Sequence, residues 1–172
     1  MAQLVAHQLW ELDVAGSSPV APTDMEESKM KLIILQGLPG SGKTTYAEKY
    51  IKDHPKKAIR VSRDSIRKML CFWRKDMVGP NKWAYEKLVT DIQYNSIASA
   101  LARGYDVIVD DTNLNESTLR NLKHRAECAT AAVEVIDMKV PVEECIKRDG
   151  ARDESVGEAG IRSMASMYGL DS

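Results

Sequence analysis

What the sequence has little of narrows its chemistry first. No apolar run approaches the roughly twenty residues that a membrane-spanning helix needs. The three cysteines, Cys71, Cys128 and Cys145, are far apart, with no C-x-x-C pair. That spacing excludes a disulfide framework and a cysteine zinc site, and it reads as reduced thiols in a cytoplasm. The three histidines, His7, His54 and His124, have no metal-ligand spacing. Net charge is −1, so there is no basic excess to neutralise a long run of nucleic-acid phosphates. A protein that grips only the end of a strand is not excluded by that balance. At 172 residues, 44% apolar and 28% charged, the chain suits one globular domain with a sizeable core.

Residues 1–28 differ from the rest. Ala15-Gly16-Ser17-Ser18-Pro19-Val20-Ala21-Pro22-Thr23 is small-residue and proline-rich with no sustained period, as expected of a flexible extension. It lacks the basic start and apolar core of a signal peptide. Gly16 to Pro19 back-translates into GGTTCGAGTCC, the pattern of a transfer-RNA T-arm. The extension therefore also reads as spurious read-through, with translation starting at Met25 or Met30. A coding sequence unlike a T-arm at these codons removes that reading. The domain itself is expected over residues 29–172.

The apolar run Lys31–Gln36 ends in Gly37-Leu38-Pro39-Gly40-Ser41-Gly42-Lys43-Thr44, which fits G-x-x-x-x-G-K-[ST]. Its glycines let successive amide N–H groups turn inward around a phosphate. A helix after the loop adds unpaired N–H groups and the positive end of its dipole. Lys43 is expected at the β- and γ-phosphates, and the Thr44 hydroxyl on Mg²⁺. Pro39, Ser41 and Thr45 complete the cradle.

From Met30 onward, strands alternate with helices. Strands are expected at Lys31–Gln36, Ala58–Val61, Tyr105–Val109 and Ala132–Lys139. Helices are expected at Lys43 to about Asp53, Ser62 to about Cys71, Lys82 to Arg103, Glu116 to Ala129, Pro141 to about Lys147, and Glu158 to Tyr168. Residues 72–81, with Gly79-Pro80-Asn81, read as a loop, and residues 148–157 as a polar span. Trp83, Leu88, Ile92, Ile97 and Leu101 are expected to mark the buried stripe of the long helix, with Gly104 just past its end. Asn115 or Ser117 caps the next helix. The alternation implies an α/β fold, a mostly parallel sheet covered by helices on both faces, with ligands at the carboxyl ends of the strands. Gly37–Thr44, Arg63-Asp64 and Asp110–Asn113 then share one edge.

Each cluster suggests a chemistry. Asp64, after the second strand and across the cleft from the phosphate cradle, is the candidate base for a hydroxyl acceptor. A carboxylate in a first helical turn also suits the helix dipole alone. Arg63 and Arg67, four apart, are spaced to clamp an acceptor's phosphate. Asp110 and Asp111 stand where an acidic group commonly holds Mg²⁺, or where acids cap a turn. Their spacing with Thr112 excludes the D-x-D-x-[TV] pattern of aspartate-nucleophile phosphatases. Arg148 and Arg152, four apart near a helix end, are where a lid sets guanidinium groups on a transferring phosphoryl. Phe72, Trp73 and Trp83 are aromatics able to stack bases, with core packing favoured for Trp83.

Taken together, these blocks resemble the 5′-polynucleotide kinase domain of the phage polynucleotide kinase/phosphatase type, a P-loop phosphotransferase. The likeness runs from about Met30 to Leu170. It rests on Gly37–Thr44, Val61-Ser62-Arg63-Asp64-Ser65-Ile66-Arg67, Asp111-Thr112-Asn113-Leu114-Asn115 and Val140–Arg148, with Ile161–Met164 a weaker match. The resemblance implies a P-loop kinase fold with a four- or five-stranded sheet and a helical lid. It implies ATP and Mg²⁺ as cofactors and the 5′-hydroxyl end of DNA or RNA as the acceptor.

Residue by residue, Asp64 matches the general base and Arg67 the arginine on the phosphate 3′ to the acceptor nucleotide. Asp111 and Thr112 match the acceptor-site pair, with Asn113 beside them. Arg152 matches the lid arginine and Arg148 its neighbour. End-healing repair in a bacterial or phage-infected host cytoplasm is the implied setting. Ser65 departs from the family, which carries a second acidic residue there, and residues 72–100 are the least similar. No phosphatase domain is read after the kinase blocks. Two other readings stay open: the same transfer to a small metabolite or sugar nucleotide, and a nucleotide-binding switch without transfer.

Overall fold

The computed structural model describes residues 29–71 and 82–171. The expected extension over 1–28 and the loop over 72–81, with Phe72 and Trp73, lie outside the described residues. In chain order the elements are β1 (Lys31–Gln36), α1 (Lys43–Asp53), β2 (Ala58–Val61), α2 (Arg63–Cys71), α3 (Lys82–Leu101), β3 (Asp106–Asp110), α4 (Glu116–Cys128), β4 (Ala132–Asp137), α5 (Val142–Gly150) and α6 (Glu158–Met167).

The four strands form one parallel sheet in the order β2-β3-β1-β4. β1 and β3 lie inside because Leu32–Leu35 and Val107–Val109 are apolar at every position, and such runs must be covered on both faces. On one face Leu32, Ile34, Val107 and Val109 meet Val89, Ile97 and Leu101 of α3 and Leu122 and Ala126 of α4. On the other, Ile33, Leu35 and Ile108 meet Ala47, Tyr46, Tyr50 and Ile51 of α1. Burying each large aliphatic side chain contributes about 1.5–3 kcal/mol. A third cluster, Leu38, Cys145, Ile161 and Ala165, ties α5 and α6 to the loop after β1.

Register positions the site. Leu35 pairs with Asp110, and Val61 with Val109, so the strands end nearly level. The segments after β1, β2 and β3 therefore emerge along one edge, as the alternation implies.

Several local expectations need correction. Trp83 and Leu88 are 77% and 48% exposed, and the buried positions of α3 are Val89, Gln93, Ile97, Ala100 and Leu101. At about 100° per residue, Leu88 lies off the face that carries Val89 and its successors at four-residue steps, whereas Trp83 is in line with Leu101 but stands in the first turn of α3. α5 continues to Gly150, placing Arg148 in its last turn, and Pro141 is its N-cap rather than its first helical residue. β3 reaches Asp110 and leaves Tyr105 outside. Asn115, not Ser117, caps α4, its side chain accepting from the N–H groups of Ser117 and Thr118 at 2.9 and 3.3 Å. No helix among the described residues is long and apolar enough to cross a membrane.

Candidate active site

The loop between β1 and α1 is shaped for an anion. Gly40 has φ +82°, and a Cβ there would lie 2.3 Å from the Cys145 carbonyl oxygen, so both the backbone angle and the approach of α5 require glycine. The Tyr46 N–H donates to the Gly42 carbonyl at 3.0 Å, the first backbone bond of α1. The N–H groups of Lys43, Thr44 and Thr45 thus find no acceptor within the helix. No acidic residue stands in that first turn to satisfy the positive end of the dipole. Pro39 is half-buried, Ser41 buried, and Thr45 exposed at the rim.

Lys43 is folded over this loop. Its ammonium donates to the carbonyls of Gly37 and Leu38 at 2.9 and 2.6 Å and to Ser41 Oγ at 3.2 Å. Burial lowers its pKa, while the nearby charges of Asp110 and Asp111 act to raise it. The Thr44 hydroxyl donates to Asp110 Oδ2 at 2.9 Å. Arg60, on β2, meets the same oxygen through Nε at 2.7 Å and Nη2 at 2.6 Å. Asp110 is thus buried between a threonine of the loop and an arginine of the neighbouring strand. Sequence reasoning named Asp110 only beside Asp111, and it missed Arg60 altogether.

The edge beside the loop is built from α2, α3 and the segment after β3. Asp64 is 80% exposed, and Arg67 Nη1 donates to its Oδ1 at 2.6 Å. Arg63 and Arg67 do converge, as their spacing implies, but in this structure they converge on Glu86 of α3. Arg67 reaches it through Nε at 2.9 Å and Nη2 at 2.7 Å, and Arg63 through Nη2 at 3.0 Å. The Arg67 hydrogen bonds, with the charge of both arginines, hold the Glu86 carboxyl below its usual range against the effect of burial. Asp111 accepts from the Arg63 backbone N–H at 3.0 Å and from the Gln93 amide at 2.5 Å. Burial pushes its carboxyl up to about 7, the two hydrogen bonds opposing. Glu86 and Gln93 were missed, although two polar residues seven apart on the inward face of α3 are a usable signal.

Thr112 lends its carbonyl to the Gly37 N–H at 3.0 Å, which joins the phosphate loop to the acceptor segment. Asn113, expected at the substrate, is engaged by the backbone around it. It is buried at φ 46°, and its Nδ2 donates to Leu35 O at 2.8 Å, with Asp111 O and Val109 O at 3.3 and 3.4 Å. Arg148 donates to Glu144 Oε1 at 2.7 Å, and Arg152, past the end of α5, has Nη1 3.8 Å from Asp149 Oδ1. The charge of Arg152 acts to lower the Lys43 pKa, so its guanidinium is within electrostatic reach of the loop.

This geometry has counterparts among known proteins. The L-seryl-tRNA(Sec) kinase of Methanococcus maripaludis is 33% identical over 141 residues, covering 80% of this chain and 52% of that protein. A chain of the solved Pnkp1/Rnl/Hen1 RNA repair complex superimposes with a TM-score of 0.68 at 28% identity, covering 90% of this chain and 48% of that one. A gluconokinase from Sinorhizobium meliloti, at 17% identity and a TM-score of 0.50, covers 79% of this chain and 73% of that one and shares the fold alone. This chain spans about half the length of the first two. The profile of the AAA domain family AAA_33 matches residues 32–169, from β1 through the end of α6, and the chain belongs to that family, with a P-loop kinase fold.

Proposed function

We propose that this chain transfers the γ-phosphoryl group of ATP to the 5′-hydroxyl end of a DNA or RNA strand. The observation that carries the reading is the Asp64–Arg67 contact of 2.6 Å at the sheet edge that also bears the phosphate loop. A hydroxyl set beside Asp64 would carry its own strand phosphate toward Arg67, and the carboxylate would take the hydroxyl proton as the new P–O bond forms. Glu86 braces Arg67 against that phosphate, and Asp111 and Thr112 would position the acceptor.

On the donor side, Lys43 exchanges its loop carbonyls for phosphate oxygens, and Arg152 meets the charge that spreads over the transferring group. Arg148 would stand beside it. A divalent cation fits Thr44. The hydroxyl proton is given to Asp110, which leaves the oxygen lone pairs for a metal such as Mg²⁺. Bound there, the ion supplies neutralisation of the β- and γ-phosphate charge.

Likeness to a chain of an RNA repair complex supports a nucleic-acid end as the acceptor. The 33% identity to a seryl-tRNA kinase supports a second reading, transfer to a hydroxyl displayed on a charged transfer RNA. Incubation with radiolabelled ATP, Mg²⁺ and either 5′-hydroxyl oligonucleotides or serylated transfer RNA separates the two, with a 5′-phosphate strand as control. Label on the 5′-hydroxyl strand alone, lost in Asp64→Asn, is the expected result. Label on the serylated RNA alone would replace the first reading by the second.

A further inference from the structure

Asp149 closes α5 and is wholly buried, yet the transfer chemistry above does not call on it. Its Oδ2 accepts from the Ser155 hydroxyl at 2.7 Å and from the Gly157 N–H at 3.0 Å. Burial pushes the carboxyl up, but these bonds and one from the Val156 N–H outweigh it and hold the group below the usual carboxylate range. Asp149 is therefore an anion in the interior. Its other oxygen, Oδ1, is buried without a hydrogen bond and faces Arg152 Nη1 at 3.8 Å. The Arg152 backbone N–H also donates to the Asp149 carbonyl at 3.1 Å. Gly157 begins α6. One carboxylate thus ties both ends of the 151–157 segment.

We propose that Asp149 is the positioning residue of this segment, its Oδ2 fixing the turn into α6 and its Oδ1 setting where the Arg152 guanidinium rests before that guanidinium meets the transferring phosphoryl. The inference rests on the reading of Arg152 given under Proposed function. Two features make the contact suited to exchange. At 3.8 Å it is an attraction without a directed hydrogen bond, and Arg152 is half-exposed, so water screens it. A guanidinium held this way stays near the loop and remains able to turn to a stronger anion. Oδ2, with its neutral donors, is a fixed post.

The test uses the transition-state mimic ADP–aluminium fluoride, whose binding needs no knowledge of the acceptor. In Asp149→Asn the side-chain oxygen still accepts from Ser155 and Gly157, while the amide presents no charge to Arg152. Expected in titration calorimetry is about a tenfold loss of affinity for the mimic with ADP affinity unchanged. The same loss is expected in Arg152→Ala, and none further in the double variant. Equal weakening of ADP and mimic in Asp149→Asn, or losses that multiply in the double variant, would overturn the proposal.

A second measurement does not depend on Asp149→Asn folding. Arg152→Ala, which leaves every bond to Oδ2 in place, should lower the melting temperature by a few degrees because Oδ1 then stays buried without a counter-charge. Arg148→Ala, whose Glu144 partner is not fully buried, should not. A wild-type melting temperature in Arg152→Ala would equally sink the idea. Failure of the acceptor reading has a different signature, a wild-type chain that discriminates the mimic from ADP but labels no nucleic-acid end.

Discussion

Two carboxylates at the edge proposed for the acceptor, Asp64 and Asp111, differ in environment. Asp64 faces water and a guanidinium, whereas Asp111 is withdrawn from solvent and keeps its proton until about pH 7. Asp64→Asn removes the proposed proton acceptor and leaves the phosphate loop intact. Transfer should fall by about 10²–10⁴-fold with ATP affinity unchanged, as single-turnover and binding assays would read. Asp111 makes a pH signature. Its folded-state pKa of about 7 lies above the ordinary 3.8, so the folded chain holds a proton that the unfolded chain releases between those values. The associated stability is full below about pH 4 and is lost as pH rises through 7. The urea midpoint should therefore drop between pH 5 and pH 8 by the equivalent of about 2 kcal/mol, allowing for partial exposure. A midpoint that rises over that window contradicts the assignment. Burial sets this value, and Arg63, Gln93 and Asp64 modulate it, so Gln93→Leu, which removes a donor to the charged form, should raise it further.

The loop and its helices set a second group of expectations. Gly40→Ala places a methyl against the Cys145 carbonyl and strains a left-handed backbone, so α5 must move away from the phosphate loop. A loss of about 2 kcal/mol or more in denaturant unfolding is expected, together with loss of nucleotide binding. Asn115→Ala removes the cap of α4 and should cost about 1 kcal/mol, without affecting ATP affinity. These elements were legible in different degrees. β1 and β3 announce themselves by unbroken apolar runs, and α1 by the glycine motif that precedes it. α3 was found and Ile97 and Leu101 are buried as expected, but Trp83 and Leu88 were misplaced on its buried face, because they weigh heavily in any hydrophobic pattern while Gln93 weighs against burial. Gln93 is nonetheless buried, since its amide has a carboxylate to meet in Asp111. The extra turn of α5 escaped notice because Arg148, Asp149 and Gly150 look like loop residues. Asp149 is held there by partners six to eight positions ahead that no local pattern reveals.

At the scale of the whole molecule, a net charge of −1 and an acceptor edge with two arginines braced on one glutamate point to few phosphate contacts. Acceptor affinity should therefore fall only gently with salt, with a slope of log K against log[salt] between about −1 and −2. A slope several times steeper would mean a long track along the strand. The edge of the sheet where ligands gather was readable from the alternation of elements, because parallel strands align their carboxyl ends. The pairing of Asp110 with Arg60 and of Glu86 with Arg63 and Arg67 was not, because those contacts join residues 19 or more positions apart. The strand order carries one more consequence. β1, which delivers the phosphate loop, is an inner strand, whereas β2, which precedes Asp64 and Arg67, is one of the two rim strands and is joined to the sheet on one side only. Substitutions on β2 and α2 should therefore disturb the sheet less than substitutions on β1, which is bonded on both sides.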